Sequence, residues 1–360
     1  MYALRKINRY RNEKTKNIKN KLNLWYMELC YRKRHAKIEG YNNVCFFMHA
    51  QAIGDSIITS GLIEKIRSSG KKVYIVAPEK LRFLFTDIIR NDGFYSFDKK
   101  KITRLVNELK KLNIDLVIDT FDADHSILYR LKTLFKLKPT KSISFDQPKG
   151  TLYDVNLRSD GNAHLSDKMI KILNLLGLDS KDYQYSISFD NAKFSSAHDY
   201  ANSIRKSKKL IIFNPYSTQV ERSFSMQQIN EILKYLNSLK HYKTVIFNLG
   251  HNIPCESFEN IVLNPFSDAG NSLALASNAD VVVSVDTALV HLASAFNIKQ
   301  YCVYNNKRNN LNQDSNIVFG ANSPNATQLT TSDNLGLAIG DDMHKFDVST
   351  LITAMSKDLT

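Results

Sequence analysis

The sequence predicts an α/β protein of two domains, each built around a parallel β-sheet. At 360 residues the chain is too long for one ordinary hydrophobic core. Short apolar runs alternate with helical segments from residue 43, and a second series of the same kind begins at Leu210. This alternation is typical of a parallel sheet covered by helices on both faces. We expect the two domains to face each other across a cleft, where ligands prefer to bind.

The first predicted domain, residues 43–200, has the strand and helix order of a Rossmann-like fold. Its predicted strands are Val44–Met48, Lys72–Ala77, Phe94–Phe97, Leu116–Asp119 and Ser142–Phe145. Its first predicted helix follows the first strand and ends near Arg67. The other predicted helices span Leu81–Arg90, Ile102–Leu112 and Asp122–Leu137. A helix from Leu165 to Leu176, closed by Gly177, and a polar stretch follow as an interdomain segment.

The second predicted domain, residues 201–360, repeats this organisation. Its predicted strands are Leu210–Phe213, Thr244–Asn248, Ile261–Leu263, Val281–Val285 and Gln300–Tyr304. Its predicted helices are Ser225–Leu239, Asn271–Ser277, Ala288–Phe296 and a closing helix, Asp347–Lys357.

The segment Asp286–Ala295 is the most informative part of the sequence, because it follows the apolar run 279–285 directly. The loop after a parallel strand opens at the carboxyl edge of the sheet, where the next helix presents unpaired N–H groups and the positive end of its dipole. We therefore predict a diphosphate site here. Asp286 suits the N-cap, and Thr287 and His291 fall on one helical face. Leu289, Leu292 and Phe296 should face the core.

The positive charge of the chain is concentrated in residues 1–42, a basic amphipathic N-terminal extension. Residues 1–40 hold twelve Lys or Arg against three Glu, so they contribute 12 − 3 = +9 of the net charge of +14. Leucine and aromatic residues, among them Trp25 and Tyr26, interleave with the cations. This composition suits the surface of an anionic membrane. A solvated tail, a helix packed on the body and nucleic-acid binding are the alternatives, the last without a supporting motif.

Other features of the composition exclude several classes of protein. We find neither a run of about 18 apolar residues nor the apolar core of a signal peptide, and we expect a cytoplasmic protein. The four cysteines form no CxxC or CxxH cluster, which argues against a disulfide framework or a zinc site. The motif 122–125, Asp-Ala-Asp-His, resembles a metal-binding DxD motif, but its acidic residues suit the start of a helix. We predict no metal site and no cofactor.

Three segments in order resemble the bacterial heptosyltransferases of glycosyltransferase family 9. They are Gly54-Asp55 with Thr59, the stretch 214–225 (NPYSTQVERSFS) and the stretch 285–294 (VDTALVHLAS). The stretch 164–169 (HLSDKM) is similar to the interdomain helix of that family. The resemblance implies a GT-B fold, two Rossmann-like domains of which the first holds the acceptor and the second the nucleotide-sugar donor. It also implies metal-independent transfer with inversion at the sugar.

The resemblance also implies a role for individual residues. Asp55 would be the catalytic base, which takes the proton of the acceptor hydroxyl. Ser217, Thr218 and Arg222 would hold the donor diphosphate, with Arg222 where many relatives have Lys. The donor would also contact Asp286, Thr287, Ala288 and His291, and His251 and Glu256 are candidates for its ribose or sugar. In place of a metal ion, Arg222 and the helix start at Thr287 would stabilise the leaving diphosphate.

Purely structural roles are the alternatives to these assignments. Asp55 could only cap its helix, His291 could be a core histidine, and Arg222 could be a surface cation. The chain also departs from the family at two places: Ala288 replaces a frequent glycine, and 304–308 (YNNKR) replaces a glycine-proline turn.

Our leading hypothesis from the sequence is heptose transfer from ADP-heptose to a lipopolysaccharide core or related surface-glycan acceptor. The enzyme would work as a peripheral protein on the inner face of the inner membrane, with a glycolipid acceptor and with residues 1–40 on the anionic surface. The alternatives are a UDP- or GDP-sugar donor, a nucleotide-sugar 2-epimerase, and a non-catalytic scaffold for envelope assembly.

Overall fold

A computed structural model shows two six-stranded parallel sheets with the same strand order. It describes residues 15, 21–30, 37–48, 52–120, 127–147, 152–306, 314–331 and 343–359. Counted along the chain, the strands of the first sheet lie in the order third, second, first, fourth, fifth and sixth, and those of the second in the order twelfth, eleventh, tenth, seventh, eighth and ninth. Each order reverses direction once, between the first and fourth strands and between the seventh and tenth, and ligands bind such sheets at that reversal. The predicted α/β class and the pair of Rossmann-like sheets are confirmed.

The first domain contains strands β1 to β6. They are β1 (Asn43–Phe47), β2 (Lys72–Ala77), β3 (Gly93–Ser96), β4 (Leu116–Asp119), β5 (Lys141–Phe145) and β6 (Val155–Leu157). The helices are α1 (residues 21–30), α2 (Ile53–Ser68), α3 (Arg82–Asp87), α4 (Ile102–Lys110), α5 (Ile127–Leu137) and α6 (Leu165–Leu175). The buried strands are rich in β-branched and aromatic residues, as central parallel strands require.

The second domain contains strands β7 to β12. They are β7 (Lys209–Asn214), β8 (Tyr242–Ile246), β9 (Ile261–Leu263), β10 (Val281–Val285), β11 (Lys299–Tyr304) and β12 (Ala326–Thr330). The helices are α7 (Ser195–Arg205), α8 (Met226–Ser238), α9 (Ala269–Ala276), α10 (Ala288–Ala295), α11 (Ser315–Val318) and α12 (Val348–Leu359). Helix α12 packs beside α8 on the outer face of this sheet.

The structure adds elements that the sequence pattern does not predict. Helix α7 lies in the polar stretch before residue 210 and crosses the domain boundary predicted at residue 200, and it packs on α9. Strands β6 and β12 each lie at an edge of a sheet, and no residue of either strand is fully buried. Phe296, expected in the core, is 38% exposed and stacks on Phe189. Leu289 and Leu292 are buried as predicted.

Helix α2 joins the two domains, because it lies between the first sheet and α10 of the second domain. Most of its surface is buried, including Gly54, Ser56, Thr59, Ser60 and Gly61. One continuous apolar cluster contains Ile57 and Leu62 from α2 together with Leu292 and Ala293 from α10. The cleft therefore has an apolar floor shared by both domains.

The interdomain segment adds polar contacts across the same boundary. Asn162 and Asp314 exchange two hydrogen bonds, of 2.7 and 3.0 Å. His164 caps α6 by accepting the N–H of Ser166 on Nδ1, so its Nε2 carries the proton and donates to the carbonyl of Gly320 at 3.1 Å. No helix within the described residues is long and apolar enough to span a membrane.

Candidate active site

A cavity of about 730 Å³ opens at the carboxyl edge of the second sheet. Its walls come from the loops after β7, β8 and β9, from the start of α10, and from Ile53 of the first domain. Four predicted donor residues line it: Ser217, Thr218, Thr287 and Ala288. The volume lies within the usual range of ligand pockets, and the position is where sheets of this order bind ligands.

Thr287 is the N-cap of α10, a place that the sequence analysis gives to Asp286. Its hydroxyl accepts the N–H of Leu289 at 3.4 Å. The same hydroxyl lies 3.1 Å from the amide nitrogen of Asn214 and 3.0 Å from the hydroxyl of Ser284. These two side chains stand at the ends of adjacent strands β7 and β10, so they hold the Thr287 side chain at the mouth of the cavity.

The carboxylate of Asp286 forms an ion pair with Arg222 instead of capping α10, with Nη1 of Arg222 2.8 Å from Oδ2 of Asp286. Both side chains are largely buried, at 22% exposure for Arg222 and 13% for Asp286. Burial raises the pKa of Asp286, and the Arg222 charge partly offsets that rise. Arg222 is therefore not a plain surface cation: it is fixed beside the start of α10.

Asp55 lies at the third position of α2, where its carboxylate accepts the N–H of Ala52 at 3.1 Å. The capping role considered from the sequence is thus observed. The same helix start meets α10: a Cβ added to Gly54 would lie 3.7 Å from Cα of Ala288 and 2.7 Å from Cδ2 of His291. The half-buried Asp55 therefore stands at the boundary of the two domains, next to the helix that begins at Thr287.

His291 does not line the cavity, and its ring lies against Gly54 of α2 at the boundary of the two domains. It is 4% exposed, and its ring makes an edge contact with Tyr185 at 6.5 Å. Burial, together with the nearby His164, lowers the pKa of His291 to about 3. The imidazole is therefore neutral at physiological pH, and any donor contact it makes is a hydrogen bond rather than a charge interaction.

His251 and Glu256, the candidates for the ribose or sugar, both lie on the exposed loop after β8. The His251 ring stacks on Tyr216 with ring centroids 4.0 Å apart. Tyr216 lines the cavity, whereas neither His251 nor Glu256 is among the lining residues. His251 therefore contacts Tyr216, an aromatic residue that lines the cavity and that was not assigned a role from the sequence.

Three further residues of the site are not assigned from the sequence. Asn214 ends β7, Ser284 interrupts the apolar strand β10, and Asn305 follows β11. Asn305 donates to the carbonyl of Glu221 at 3.2 Å and so fixes the loop that carries Arg222. A polar residue at the end of a buried strand is the feature that could have identified the first two.

The structure also locates the motifs that the sequence analysis sets aside. The motif 122–125 lies outside the described residues. Within the described residues, no group of three or more His, Cys, Asp or Glu side chains is placed to hold a metal ion. Cys45, Cys255 and Cys302 are buried and unpaired, and Cys30 is exposed.

Comparison with known proteins agrees with this geometry. Residues 102–336 match the model of glycosyltransferase family 9 (heptosyltransferase). Over 297 residues the chain is 24% identical to a protein of Escherichia coli K12 named "Putative lipopolysaccharide heptosyltransferase 4", covering 80% of this chain and 81% of that protein.

Solved structures share the architecture at low sequence identity. A family 9 glycosyltransferase from Veillonella parvula superposes with a TM-score of 0.71 at 16% identity, over 90% of this chain and 99% of that chain. The E. coli ADP-heptose lipopolysaccharide heptosyltransferase II gives a TM-score of 0.67 at 13% identity, over 88% and 98%. The E. coli heptosyltransferase WaaC with ADP gives 0.66 at 14% identity, over 88% and 99%. The two-sheet fold is thus the GT-B fold of heptosyltransferases.

Proposed function

The chain belongs to glycosyltransferase family 9, and we propose that it transfers a heptose from ADP-heptose to a lipopolysaccharide core or related surface glycan. Two relatives with the same fold are an ADP-heptose lipopolysaccharide heptosyltransferase and a heptosyltransferase with ADP, which supports this choice of donor. In this proposal the donor lies in the cavity after β7 to β10, and the acceptor lies against the first domain.

The main support for a diphosphate site is the environment of Arg222. Arg222 uses Nη1 for Asp286, but its Nε is buried and has no hydrogen-bond partner among the described residues. A buried donor without a partner costs about 1–3 kcal/mol, and a phosphate oxygen is the acceptor that a guanidinium binds best. The N–H groups at the start of α10, beside Thr287, favour the same negative charge.

The proposed reaction is a direct displacement. Asp55 takes the proton of an acceptor hydroxyl, the hydroxyl oxygen bonds to the anomeric carbon, and the bond from that carbon to the diphosphate oxygen breaks. The configuration at the sugar inverts, and the nucleoside diphosphate leaves with the electron pair. Arg222 and the start of α10 stabilise the charge that grows on this leaving group, as a metal ion does in other enzymes.

The acceptor we propose is a glycolipid, which places the enzyme at the inner face of the inner membrane as a peripheral protein. Transfer there needs a cleft that is open to the bilayer surface rather than a membrane-spanning segment. The basic N-terminal residues 1–40 supply attraction to anionic lipid in this arrangement.

The donor is tested with a panel of nucleotides. We expect ADP to raise the melting temperature of the purified protein more than UDP or GDP at equal concentration, since a ligand that binds only the folded state stabilises it. With ADP-heptose and a core acceptor we expect release of ADP. A larger shift with UDP or GDP, together with turnover of the corresponding sugar, would replace the proposed donor. No turnover or hydrolysis with any donor would refute the proposal.

The base is tested with Asp55→Asn, which keeps an oxygen to accept the N–H of Ala52. We expect kcat to fall by roughly 10²–10⁴-fold, as for loss of a general base, while the melting shift with ADP is kept. Asp347→Asn is the matched control: Asp347 accepts the N–H of Ser349 at 2.9 Å at the start of α12, away from the cleft. A normal kcat for Asp55→Asn would leave only the capping role.

A further inference from the structure

Helix α1 is anchored to the first domain by only part of its surface. Met27 is buried at 4% exposure in the apolar cluster formed by the outer face of the first sheet with α4 and α5. Leu24 packs partly against the same cluster. The Tyr26 ring makes an edge contact with Phe135 of α5, with centroids 6.2 Å apart. These contacts fix which face of α1 points outward.

The outward face is apolar, which is unusual for a helix on a protein surface. Leu22, Trp25, Tyr26 and Leu29 are each between 56% and 64% exposed. Their spacing of three, four and seven residues places them on one stripe of the helix. We call these four residues the α1 stripe. A contiguous exposed apolar patch of this kind marks a surface that binds a partner or a membrane.

Basic side chains lie on α5 and at the start of α4, the two helices whose apolar cluster contains Met27. The ammonium groups of Lys99 and Lys132 lie over the ring of Tyr129, 5.1 and 6.0 Å from its centroid. Lys136 donates to the hydroxyl of Thr103 at 3.0 Å and so bridges α5 to α4. The cations thus follow the same two helices that α1 packs against.

Acidic residues offset only part of this charge. Arg104 pairs with Glu108, and Lys101 lies 3.8 Å from Asp98. The neighbouring Lys99, Lys100 and Lys110 are exposed. The first domain therefore carries an apolar stripe on α1 and a positively charged surface on the two helices that α1 packs against.

We propose that this surface docks on an anionic lipid bilayer, with α1 lying in the headgroup region parallel to the membrane. Leucine would reach the acyl boundary, while Trp25 and Tyr26 have the amphipathic rings that prefer the interface. The lysines of α4 and α5 would contact acidic headgroups. This proposal rests on the peripheral membrane association in the proposed function and adds the surface that makes the contact. That surface is distinct from the donor cavity, so the proposal does not depend on which nucleotide sugar is used.

The charge pattern favours a bilayer over other partners. A nucleic acid binds through its phosphates and stacks its bases on isolated aromatic rings, whereas leucines make up half of the α1 stripe. A second copy of this chain would bring the same positively charged surface of α4 and α5 against itself, which is unfavourable. A bilayer of acidic lipid satisfies both the apolar stripe and the cations.

Trp25 provides an intrinsic fluorescence probe of this surface, because it is the single tryptophan of the chain. We expect the emission of the full-length protein to shift to shorter wavelength with vesicles of phosphatidylcholine and phosphatidylglycerol, and little with phosphatidylcholine alone. Lipids brominated near the headgroup should quench the emission. High salt should weaken binding, since screening acts on the exposed lysines. No donor or acceptor is needed, so the result is independent of the proposed transferase activity.

Matched variants separate the two contributions. Lys132→Gln with Lys136→Gln should lower partition to anionic vesicles by roughly tenfold, and Leu22→Ser with Leu29→Ser should lower it as well while reducing the emission shift. The exposed Lys234 and Lys240 in the second domain, both changed to Gln, are the control and should leave partition unchanged.

Three outcomes would overturn the proposal. Vesicle binding without any change in Trp25 emission would place the contact elsewhere on the protein. An emission shift that depends on protein concentration, with doubled mass in sedimentation, would assign the α1 stripe to a second copy. A shift on adding RNA but not vesicles would assign it to nucleic acid.

Discussion

Substitution of Gly54 by Ala tests whether the close approach of α2 and α10 positions the reacting groups. Gly54 precedes the proposed base in the chain and has no side chain facing the second domain. An added Cβ would lie 2.7 Å from Cδ2 and 3.2 Å from Nε2 of His291. The His291 ring cannot move aside into solvent, because it is buried between α2 and Tyr185.

The size of the effect follows from these distances. Carbon atoms pack best at about 3.5–4.0 Å, so either the His291 ring or the two helix starts must separate by about 1 Å. Overpacking of a core costs about 1–3 kcal/mol, against which Ala in a helix gains about 0.5–1 kcal/mol over Gly. We expect net destabilisation of about 1–2 kcal/mol. A displacement of 1 Å between reacting groups can also lower kcat by about 10²-fold.

The assay is a double-mutant cycle on stability, with turnover measured in parallel. Urea unfolding of Gly54→Ala, His291→Ala and the double variant gives the coupling between the two positions. Because His291→Ala removes the atoms that clash, Gly54→Ala should cost little or nothing in that background. If Gly54→Ala is as stable and as active as the wild type, or costs the same with and without His291, the close contact does not control the site.

Three further predictions use other contacts of the structure. Arg222→Gln should destabilise the fold by about 3–5 kcal/mol because it leaves Asp286 buried without its partner. Adding Asp286→Asn should recover most of that stability but should not restore ADP binding. Unchanged ADP binding by the double variant would contradict the diphosphate site. His291, with its pKa lowered to about 3 by burial, should contribute stability in full above its unfolded pKa of about 6.5 and lose it as pH falls. From pH 7 to 5 this loss is about 2 kcal/mol, and urea unfolding of His291→Gln should show a smaller loss, with the exposed His241→Gln as control. Asp119 and Arg130 form a buried ion pair, and Tyr153 donates to Asp119 at 2.7 Å. Arg130→Met should therefore lower the free energy of unfolding by about 3–5 kcal/mol, and Tyr153→Phe should lower it by about 1–2 kcal/mol. Equal unfolding midpoints for wild type and Arg130→Met would show that the pair adds no stability.

The buried strands were predictable because their sequences carry the physical cause of their structure. Val281–Val285 was predicted in full, since five buried and mostly β-branched residues next to a helix start suit a central parallel strand. Strand β12 was missed because Ala326–Thr330 is polar, has no fully buried residue and joins the sheet only at its edge. Helix α7 was missed because its only buried residues are Ala197 and Ala201.

The site was less predictable, because its contacts join residues far apart in the chain. Asp286 and Thr287 are both good N-cap residues, and only the fold shows that Arg222, 64 positions earlier, takes the carboxylate and leaves the cap to Thr287. The orientation of His291 depends likewise on Gly54 of the other domain. A helical pattern shows which residues share a face, but not which partner that face meets.

The apolar cluster shared by α2 and α10 has a consequence for recombining this enzyme with its relatives. Exchanging the second half for that of a relative with a different donor would divide the apolar cluster that contains Ile57 and Leu62 together with Leu292 and Ala293. Productive hybrids should therefore carry α2 and α10 from the same parent, even though these helices lie more than two hundred residues apart in the sequence.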